Sequence, residues 1–284
     1  MYLPIEHSVR WSPWRGFGLA ALMAASLELL SSCTAVALPP PPTLPVSAWG
    51  GNYLFKVSGS EPQAAPAASV PVTIAVVNPL YKEEESALAT PSYGKVGRGF
   101  SGSLGSDLEK ILIAKGITTT GPFASLDDMT YSDKKSAALT LAPRVFIAAD
   151  LKYESLQPYE GPGNATPPVR RGMFGGVVAS PGSGYTQRRF TLSVTGWISF
   201  VMQEPLSGEK MWIKKLDLDA VQMAGTEVRD PNGELKYDGK ADAMASALKE
   251  LYPIIIAQFG RYLDPEEMQN LKAKGEEIRK AKVY

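Results

Sequence analysis

Apolar residues at every second position over 190–202, alternating with Thr191, Ser193, Thr195 and Ser199, are the feature that most constrains the fold. The apolar positions are Phe190, Leu192, Val194, Gly196, Ile198, Phe200 and Met202. A period of two is typical of a strand with one face buried. A turn at Pro205-Leu206-Ser207-Gly208 follows, and Met211–Ala220 then returns. We therefore predict an antiparallel β-hairpin at the centre of a sheet.

Shorter elements precede the hairpin. The β-branched run Val72–Val77, bounded by Pro71 and Asn78-Pro79, predicts a buried strand. The following elements are a loop over 78–102, a helix from Ser103 or Ser106 to Lys115 ended by Gly116, a weak strand at Ile117–Phe123, a short helix from Ser132 to about Leu141, and a strand at Val145–Leu151.

Two helices end the chain. An apolar stripe runs from Lys240 to Leu263, with Pro253 expected to kink it. Asp264-Pro265-Glu266-Glu267 resembles a capping box with proline at N1 and opens a final helix to about Lys282. The predicted fold class is α/β (α+β), with a mixed sheet, a central antiparallel hairpin and packed helices that include the two C-terminal ones.

The first residues have the character of a secretory signal peptide. Arg10 and Arg15 precede an apolar run from Gly16 to Leu30, which ends in Leu30-Ser31-Ser32-Cys33. The run is about fifteen residues, and it includes Glu28, so it is too short and too polar for a transmembrane helix.

Leu30-Ser31-Ser32-Cys33 resembles the lipobox of bacterial lipoproteins. That resemblance implies cleavage before Cys33, acylation of its thiol and amine, and anchoring through acyl chains alone. Thr34 follows, where an aspartate retains such proteins in the inner membrane, so the resemblance points to the outer membrane. The alternative is an ordinary signal peptide with a chance cysteine near its cut site.

These features predict three regions. Residues 1–32 are a removed signal peptide, 33–71 a tether rich in proline and alanine, and 72–284 a single globular α/β domain. Within the tether, Trp49–Lys56 is either a short strand or an aromatic patch near the membrane.

Composition excludes several classes of function. The single histidine, His7, lies in the predicted signal peptide, and Cys33 is the single cysteine. Nucleophilic catalysis with histidine and ordinary zinc sites are therefore excluded from the mature chain. We expect no enzyme activity, no cofactor and no metal site. Removal of residues 1–32 takes away two basic and two acidic residues, and the net charge stays at zero, so nucleic acid is not an expected partner.

Several motifs have structural explanations. Gly97-Arg98-Gly99-Phe100-Ser101-Gly102 matches G-x-G-x-x-G, but it lies about twenty residues beyond its strand, which favours a flexible loop with glycines at a helix entry over a nucleotide site. The pairs Asp127/Asp128 and Asp217/Asp219 are interpreted as solvated faces rather than calcium or catalytic sites.

A long segment from 157 to 187 is the candidate binding region. Arg170-Arg171 lies within it and Arg188-Arg189 directly follows it; these arginines form a candidate cationic patch for a glycan, a lipid phosphate or an acidic partner. Phe174 lies in the apolar run Met173–Val178, interpreted as a partner contact or an extra strand. The alternative for the arginines is ordinary surface charge.

Several segments together resemble the neuraminyllactose-binding haemagglutinin family, which comprises surface lipoproteins of epsilon-proteobacteria. The matching segments are the lipobox at Cys33, the strand ending in Asn78-Pro79, Leu108–Leu112 followed by Gly116, Glu204–Glu209 with Leu216–Leu218, and the helix from Asp242 through Leu248. The resemblance implies an α/β fold and adhesin-type binding. The family's basic sialic-acid motif has no counterpart at Gln157–Gly161, so sialic-acid binding is not implied.

The sequence thus predicts a non-enzymatic outer-membrane lipoprotein that binds a protein partner or a surface glycan at the cell envelope. A homo-oligomer or larger assembly is compatible with this. The leading hypothesis is an adhesin, and the alternative is a structural subunit of an envelope-spanning machine for secretion or flagellar assembly.

Overall fold

The computed structural model describes residues 43–56, 69–81, 86–159 and 184–282, all of which belong to one compact unit, Pro41–Tyr284. Their elements in chain order are β1 (Val70–Val77), β2 (Leu80–Tyr81), a 3₁₀ turn (Ala87–Ala89), α1 (Gly94–Ala114), β3 (Ile117–Phe123), α2 (Tyr131–Ser136), β4 (Leu139–Leu141), β5 (Arg144–Pro158), β6 (Thr186–Gln203), β7 (Lys210–Arg229), β8 (Leu235–Asp238), α3 (Lys240–Tyr262) and α4 (Pro265–Ala281). The predicted mixed α/β fold is confirmed.

The strands form one mixed sheet. β1 pairs in parallel with β3 and β4, and β2 pairs in parallel with β5. β6 is antiparallel to both β4 and β5 on one side and to β7 on the other. β4 and β5 lie one after the other along β6, with β1 beside β4 and β2 beside β5. Across the sheet, the order is therefore β3, β1/β2, β4/β5, β6, β7, β8.

The central hairpin is confirmed and is longer than predicted. β6 and β7 pair from Thr186↔Arg229 to Gln203↔Lys210. The alternating apolar residues of β6 are buried in the main core beneath α1 and α3, as the period of two requires. We call this side of the sheet the helix face. The opposite side of β5, β6 and β7 is the open face, where Phe146 and Trp197 stack with their ring centroids 5.9 Å apart.

Two predicted helix boundaries are wrong. α1 begins at Gly94, not at Ser103 or Ser106, so the glycine motif is helical rather than a loop. The predicted short helix from Ser132 to Leu141 is divided: α2 ends at Ser136, and Leu139–Leu141 is instead a strand. That segment pairs with β1 and β6, and tertiary hydrogen bonding overrides its helical pattern.

The turn of the hairpin is tied to the last helix. Glu204 has no exposed surface, and its carboxylate accepts hydrogen bonds from the backbone N–H groups of Leu206 (3.1 Å) and Ser207 (2.5 Å). Arg279 of α4 donates from Nε to the same carboxylate at 2.7 Å and from Nη2 to the carbonyl of Ala137 at 2.6 Å. Burial alone raises the pKa of Glu204, but these hydrogen bonds lower it below its ordinary value.

The two C-terminal helices lie where the sequence predicts them, and α4 has a single cap bond rather than a reciprocal capping box. α3 is continuous through Pro253, and Asp264 caps α4 by accepting the Glu266 N–H at 3.0 Å, with Pro265 at the first helical position. Asp217 and Asp219 are exposed on β7, as predicted. Of the helices in the described residues, none combines the length and the apolar character needed to span a bilayer.

Candidate functional site

The predicted site residues fall in two groups. Cys33, Arg170, Arg171 and Phe174 lie outside the described residues. Arg188 and Arg189 lie at the start of β6, and both are exposed.

Arg188 and Arg189 point to opposite faces of the sheet because side chains alternate along a strand. Arg188 is in register with Glu227 and lies on the same face as Phe190, whereas Arg189 is in register with Thr226 on the open face. The guanidinium of Arg188 lies over the Tyr153 ring, 4.9 Å from its centroid, in a cation–π contact. The structure therefore gives the two arginines different surroundings.

Behind Arg188 lies a network of charged side chains that the sequence analysis missed. Glu227 is only 3% exposed; its Oε1 lies 2.6 Å from Lys240 Nζ and accepts a hydrogen bond from the Tyr153 hydroxyl at 2.9 Å. Arg229 lies 3.9 Å from the other carboxylate oxygen. Burial alone would raise the pKa of Glu227, but the bonds from Lys240 and Tyr153, with the nearby positive charges, lower it.

Residues 43–56 lie against this end of the domain, although the sequence assigns them to the tether. Tyr53 and Phe55 are buried in the main core. The Phe55 ring meets Phe100 of α1 edge-on at 5.5 Å and Tyr252 of α3 at 5.7 Å. The Phe55 N–H also donates to Ser103 Oγ at 3.1 Å. The aromatic stretch is thus neither a strand nor a free patch but part of the core.

Asp242, in the first turn of α3, holds the same segment from the polar side. Its Oδ1 accepts hydrogen bonds from Ser47 Oγ at 2.7 Å and from the Tyr53 hydroxyl at 3.2 Å. Tyr237 of β8 donates to Oδ2 at 3.4 Å. Burial and the Asp242 charge both raise the pKa of Tyr53 and Tyr237, so these phenols remain protonated donors.

The glycine motif permits this docking. A Cβ added at Gly99 would lie 1.9 Å from the Tyr53 carbonyl oxygen, and one at Gly97 would lie 2.6 Å from that of Leu88. Gly97 and Gly99 therefore let α1 approach neighbouring backbone closely, whereas a Cβ at Gly102 would meet open space. The first two glycines of the motif serve packing here.

A cavity of about 350 Å³ lies beside the docked segment. It is bounded by the docked segment, the ends of β5, β6 and β7, β8 and the start of α3, and its lining includes Pro45, Tyr159, Gln187, Met223, Tyr237, Asp242 and Ser246. Among the described residues that line it, Asp242 is acidic and none is basic. The cavity thus offers a carboxylate, hydroxyl groups and an amide beside small apolar walls, which suits a small hydroxylated or cationic molecule better than an anion.

Neither of the predicted binding residues that the structure describes lines the cavity. The aromatic residues Trp49, Tyr53 and Phe55 were a usable signal, because large aromatics clustered in a short segment are seldom all left in solvent. Glu227, Lys240 and Asp242 come together only through the sheet and the start of α3, and no local pattern marks them. Within the described residues, no three His, Cys, Asp or Glu side chains lie close enough together to hold a metal ion.

No protein-family model matches the sequence, and none of the curated proteins matches it significantly. Among solved structures, the chain is similar to a protein described as a neuraminyllactose-binding hemagglutinin homolog from Helicobacter pylori, with 14% identity over 78% of this chain and 98% of that chain and a TM-score of 0.46. It is also similar to the PelC dodecamer subunit from Paraburkholderia phytofirmans, with 15% identity, 66% and 93% coverage and a TM-score of 0.24. Rare lipoprotein B from Shewanella oneidensis gives 9% identity, 72% and 96% coverage and a TM-score of 0.18. Similarities of this size do not assign the chain to a family.

Proposed function

We propose that this protein is a non-enzymatic lipoprotein, anchored in the outer membrane by acyl chains on Cys33, that binds a ligand or protein partner at the envelope. The observation that carries the proposal is Leu30-Ser31-Ser32-Cys33 at the end of a short apolar run that follows Arg10 and Arg15. Acyl chains contribute about 0.8 kcal/mol per buried methylene, and two or more of them anchor a protein stably.

Docking of residues 43–56 supports a position close to the membrane. Nine residues separate Cys33 from Thr43, and an extended chain covers at most about 3.3–3.6 Å per residue. An anchor at Cys33 therefore holds Thr43 within about 35 Å of the bilayer. The Tyr159 hydroxyl donates to the Thr43 carbonyl at 2.8 Å. The end of the domain that carries the cavity is therefore the end that the short chain from Cys33 holds near the bilayer.

The proposed binding surface is the cavity beside Asp242 together with the exposed Arg188. The cavity favours a neutral hydroxylated or cationic group through the Asp242 carboxylate. Arg188 directly follows Gln187, which lines the cavity, and offers a cation to an acidic group of the partner. A neutral glycan or a polar protein segment fits this combination.

Replacement of Cys33 by serine tests the anchor. We expect the Cys33→Ser protein to be uncleaved or soluble, with an unchanged circular dichroism spectrum, because the thiol is the site of acylation. The control is Ser31→Ala, which keeps a small residue in the lipobox and should leave membrane fractionation unchanged. A Cys33→Ser protein that still fractionates with the outer membrane after a high-salt wash would overturn the anchoring proposal.

A cavity-filling variant tests the binding surface. Ser246 lines the cavity, and Glu250, one helical turn further along α3, is exposed. Ser246→Trp should abolish capture of a partner from solubilised envelopes, whereas Glu250→Trp should leave it intact. Equal capture by both variants would place the binding surface elsewhere.

An adhesin is exposed on the outer surface of the cell, whereas a structural subunit of an envelope machine can face the periplasm. The short chain between Cys33 and Thr43 favours the structural subunit, because a partner must come within reach of the membrane surface. Protease added to intact cells separates the two: cleavage without permeabilisation indicates an adhesin, and protection indicates a periplasmic subunit.

A further inference from the structure

β7 has a long edge that no strand in the described part of the chain covers. β6 pairs with one side of β7 along its whole length. On the other side, β8 pairs only with Glu227, Val228 and Arg229. The edge is therefore uncovered by described strands from Lys210 to about Thr226. Exposed edges of this length are templates for pairing with another chain unless they are blunted.

The direction of the backbone groups on this edge follows from two hydrogen bonds. Ala142 N–H donates to the Val201 carbonyl at 2.8 Å, so odd-numbered β6 residues point towards β4 and β5, and even-numbered ones point towards β7. Their partners Trp212, Lys214 and Leu216 then point inward. Ile213, Lys215 and Asp217 consequently direct their N–H and C=O groups to the free edge. The Tyr262 hydroxyl donates to the Lys215 carbonyl from this side at 3.4 Å, which agrees with this direction; the bond is exposed, and a pairing strand would displace it.

The charged side chains along the β7 edge are complementary to those of a second copy of the same edge. Lys215 and Asp217 project from the open face, with exposed side-chain fractions of 53% and 76%, and their charged groups lie 2.7 Å apart. A run of lysines alone would repel a second copy and blunt the edge. In an antiparallel pair of identical strands centred on Leu216, however, Lys215 of each copy lies opposite Asp217 of the other. The same register places the outward backbone groups of these residues opposite one another as hydrogen-bonded pairs.

We propose that two copies of this protein pair through the β7 edge, centred on Leu216, to form a two-fold dimer with one continuous sheet. The ladder between β6 and β7 has no irregularity from Trp212 to Leu218, so the edge is straight over seven residues. The two-fold axis is perpendicular to the sheet, which leaves both helix faces, and both docked 43–56 segments, on the same side. The dimer goes beyond the proposed function and does not depend on lipid anchoring, but it allows both chains to enter one membrane.

β5 has the second long edge and is the less suitable of the two. It carries a similar charge pair, Asp150 and Lys152, but Ser86 Oγ already accepts the outward N–H of Ile147 at 3.3 Å. The ladder from β5 to β6 also breaks between Tyr153 and Leu156. Beyond Arg144 and Val145, which β2 covers, and Ile147, which Ser86 binds, the regular run left free is 148–153, six residues against seven in β7.

The test is a charge-swap complementation on the full-length protein in mild detergent, with mass measured by sedimentation equilibrium. Wild-type protein should have twice the mass of one processed, acylated chain. In a dimer of either single variant, Lys215→Asp or Asp217→Lys, like charges face each other at both symmetry-related contacts between positions 215 and 217. Each variant should therefore raise the dissociation constant of the dimer by about tenfold or more. Mixing the two variants in equal amounts should restore the dimer, since one copy then carries two acidic side chains and the other two basic ones.

The matched controls are Asp150→Lys and Lys152→Asp, which make the same charge changes at the β5 edge and should leave the dimer intact. Thermal unfolding of each variant separates lost pairing from lost folding. Restoration on mixing also excludes the intrachain Lys215–Asp217 pair as the cause, because both single variants lack it. A monomeric wild-type protein, a dimer sensitive only to the β5 changes, or a mixture that stays monomeric would each overturn the proposal.

Discussion

Removal of the Phe55 side chain tests whether the segment before β1 belongs to the folded domain. Phe55 is 3% exposed and contacts the rings of Phe100 and Tyr252, whereas its neighbour Leu54 is 55% exposed. Truncation of a buried phenylalanine to alanine costs about 3–5 kcal/mol when the cavity cannot collapse. If the whole segment detaches instead, the decrease in the free energy of unfolding cannot exceed the free energy with which the segment docks. We therefore expect Phe55→Ala to lower the free energy of unfolding by about 3 kcal/mol.

Leu54→Ala is the matched control and should change the free energy of unfolding by less than about 0.5 kcal/mol, because an exposed side chain loses little on truncation. Guanidinium unfolding of the full-length protein, followed by tryptophan fluorescence, measures both, and Trp49 within the segment reports on its docking. Equal stability of the two variants would refute the reasoning and restore 43–56 to the tether. The same contacts predict that a chain starting at Val72 folds but is less stable than one starting at Thr43.

Three further predictions follow from close contacts and from buried charge. Gly99→Ala should displace the docked segment and destabilise the protein, because the new Cβ would lie 1.9 Å from the Tyr53 carbonyl oxygen. Gly102→Ala in the same helix adds a Cβ in open space and should stabilise the protein by about 0.5–1 kcal/mol. Thermal unfolding measures both variants. Arg279→Ala should cost about 3–5 kcal/mol in denaturant unfolding, since it leaves the buried Glu204 carboxylate without its cation, and Glu204→Gln combined with it should recover part of the loss. The pKa of Glu204 is lowered in the folded state, so its contribution to stability is present above the ordinary carboxyl range and is lost as the pH falls through the folded pKa. We therefore expect the midpoint temperature of unfolding to decrease as the pH is lowered below about 4. The decrease should be less steep in Glu204→Gln.

Replacement of residues 160–183 by a short Gly-Ser linker tests the binding role predicted for Arg170, Arg171 and Phe174, which lie outside the described residues. The flanking ends, Tyr159 and Gly184, lie at the cavity end of the sheet. We expect folding to be kept and capture of the partner to be lost. Capture that is undiminished would contradict a contact role for this segment.

The sequence by itself determined those elements whose periodicity coincides with burial. The alternation from Phe190 to Met202 predicts β6 because the strand has helices on one face and an open face on the other. The apolar stripe of α3 predicts that helix in the same way, because most of its apolar residues are buried. The hairpin turn is likewise encoded locally, in Glu204–Glu209, whose backbone N–H groups bond the Glu204 carboxylate. The prediction of a lipid anchor at Cys33 also comes from local sequence alone.

The tertiary structure decided what depends on residues far apart in the chain. Leu139–Leu141 is a strand because β1 and β6 lie on either side of it, not because of its own pattern. The glycines of α1 look like a loop until the Tyr53 and Leu88 backbones that fill the space beside them are in place. Asp242 becomes a site residue only because Ser47, 195 positions earlier, donates to it. Periodicity reports which face of an element is buried, but the partner that covers that face is chosen by the fold.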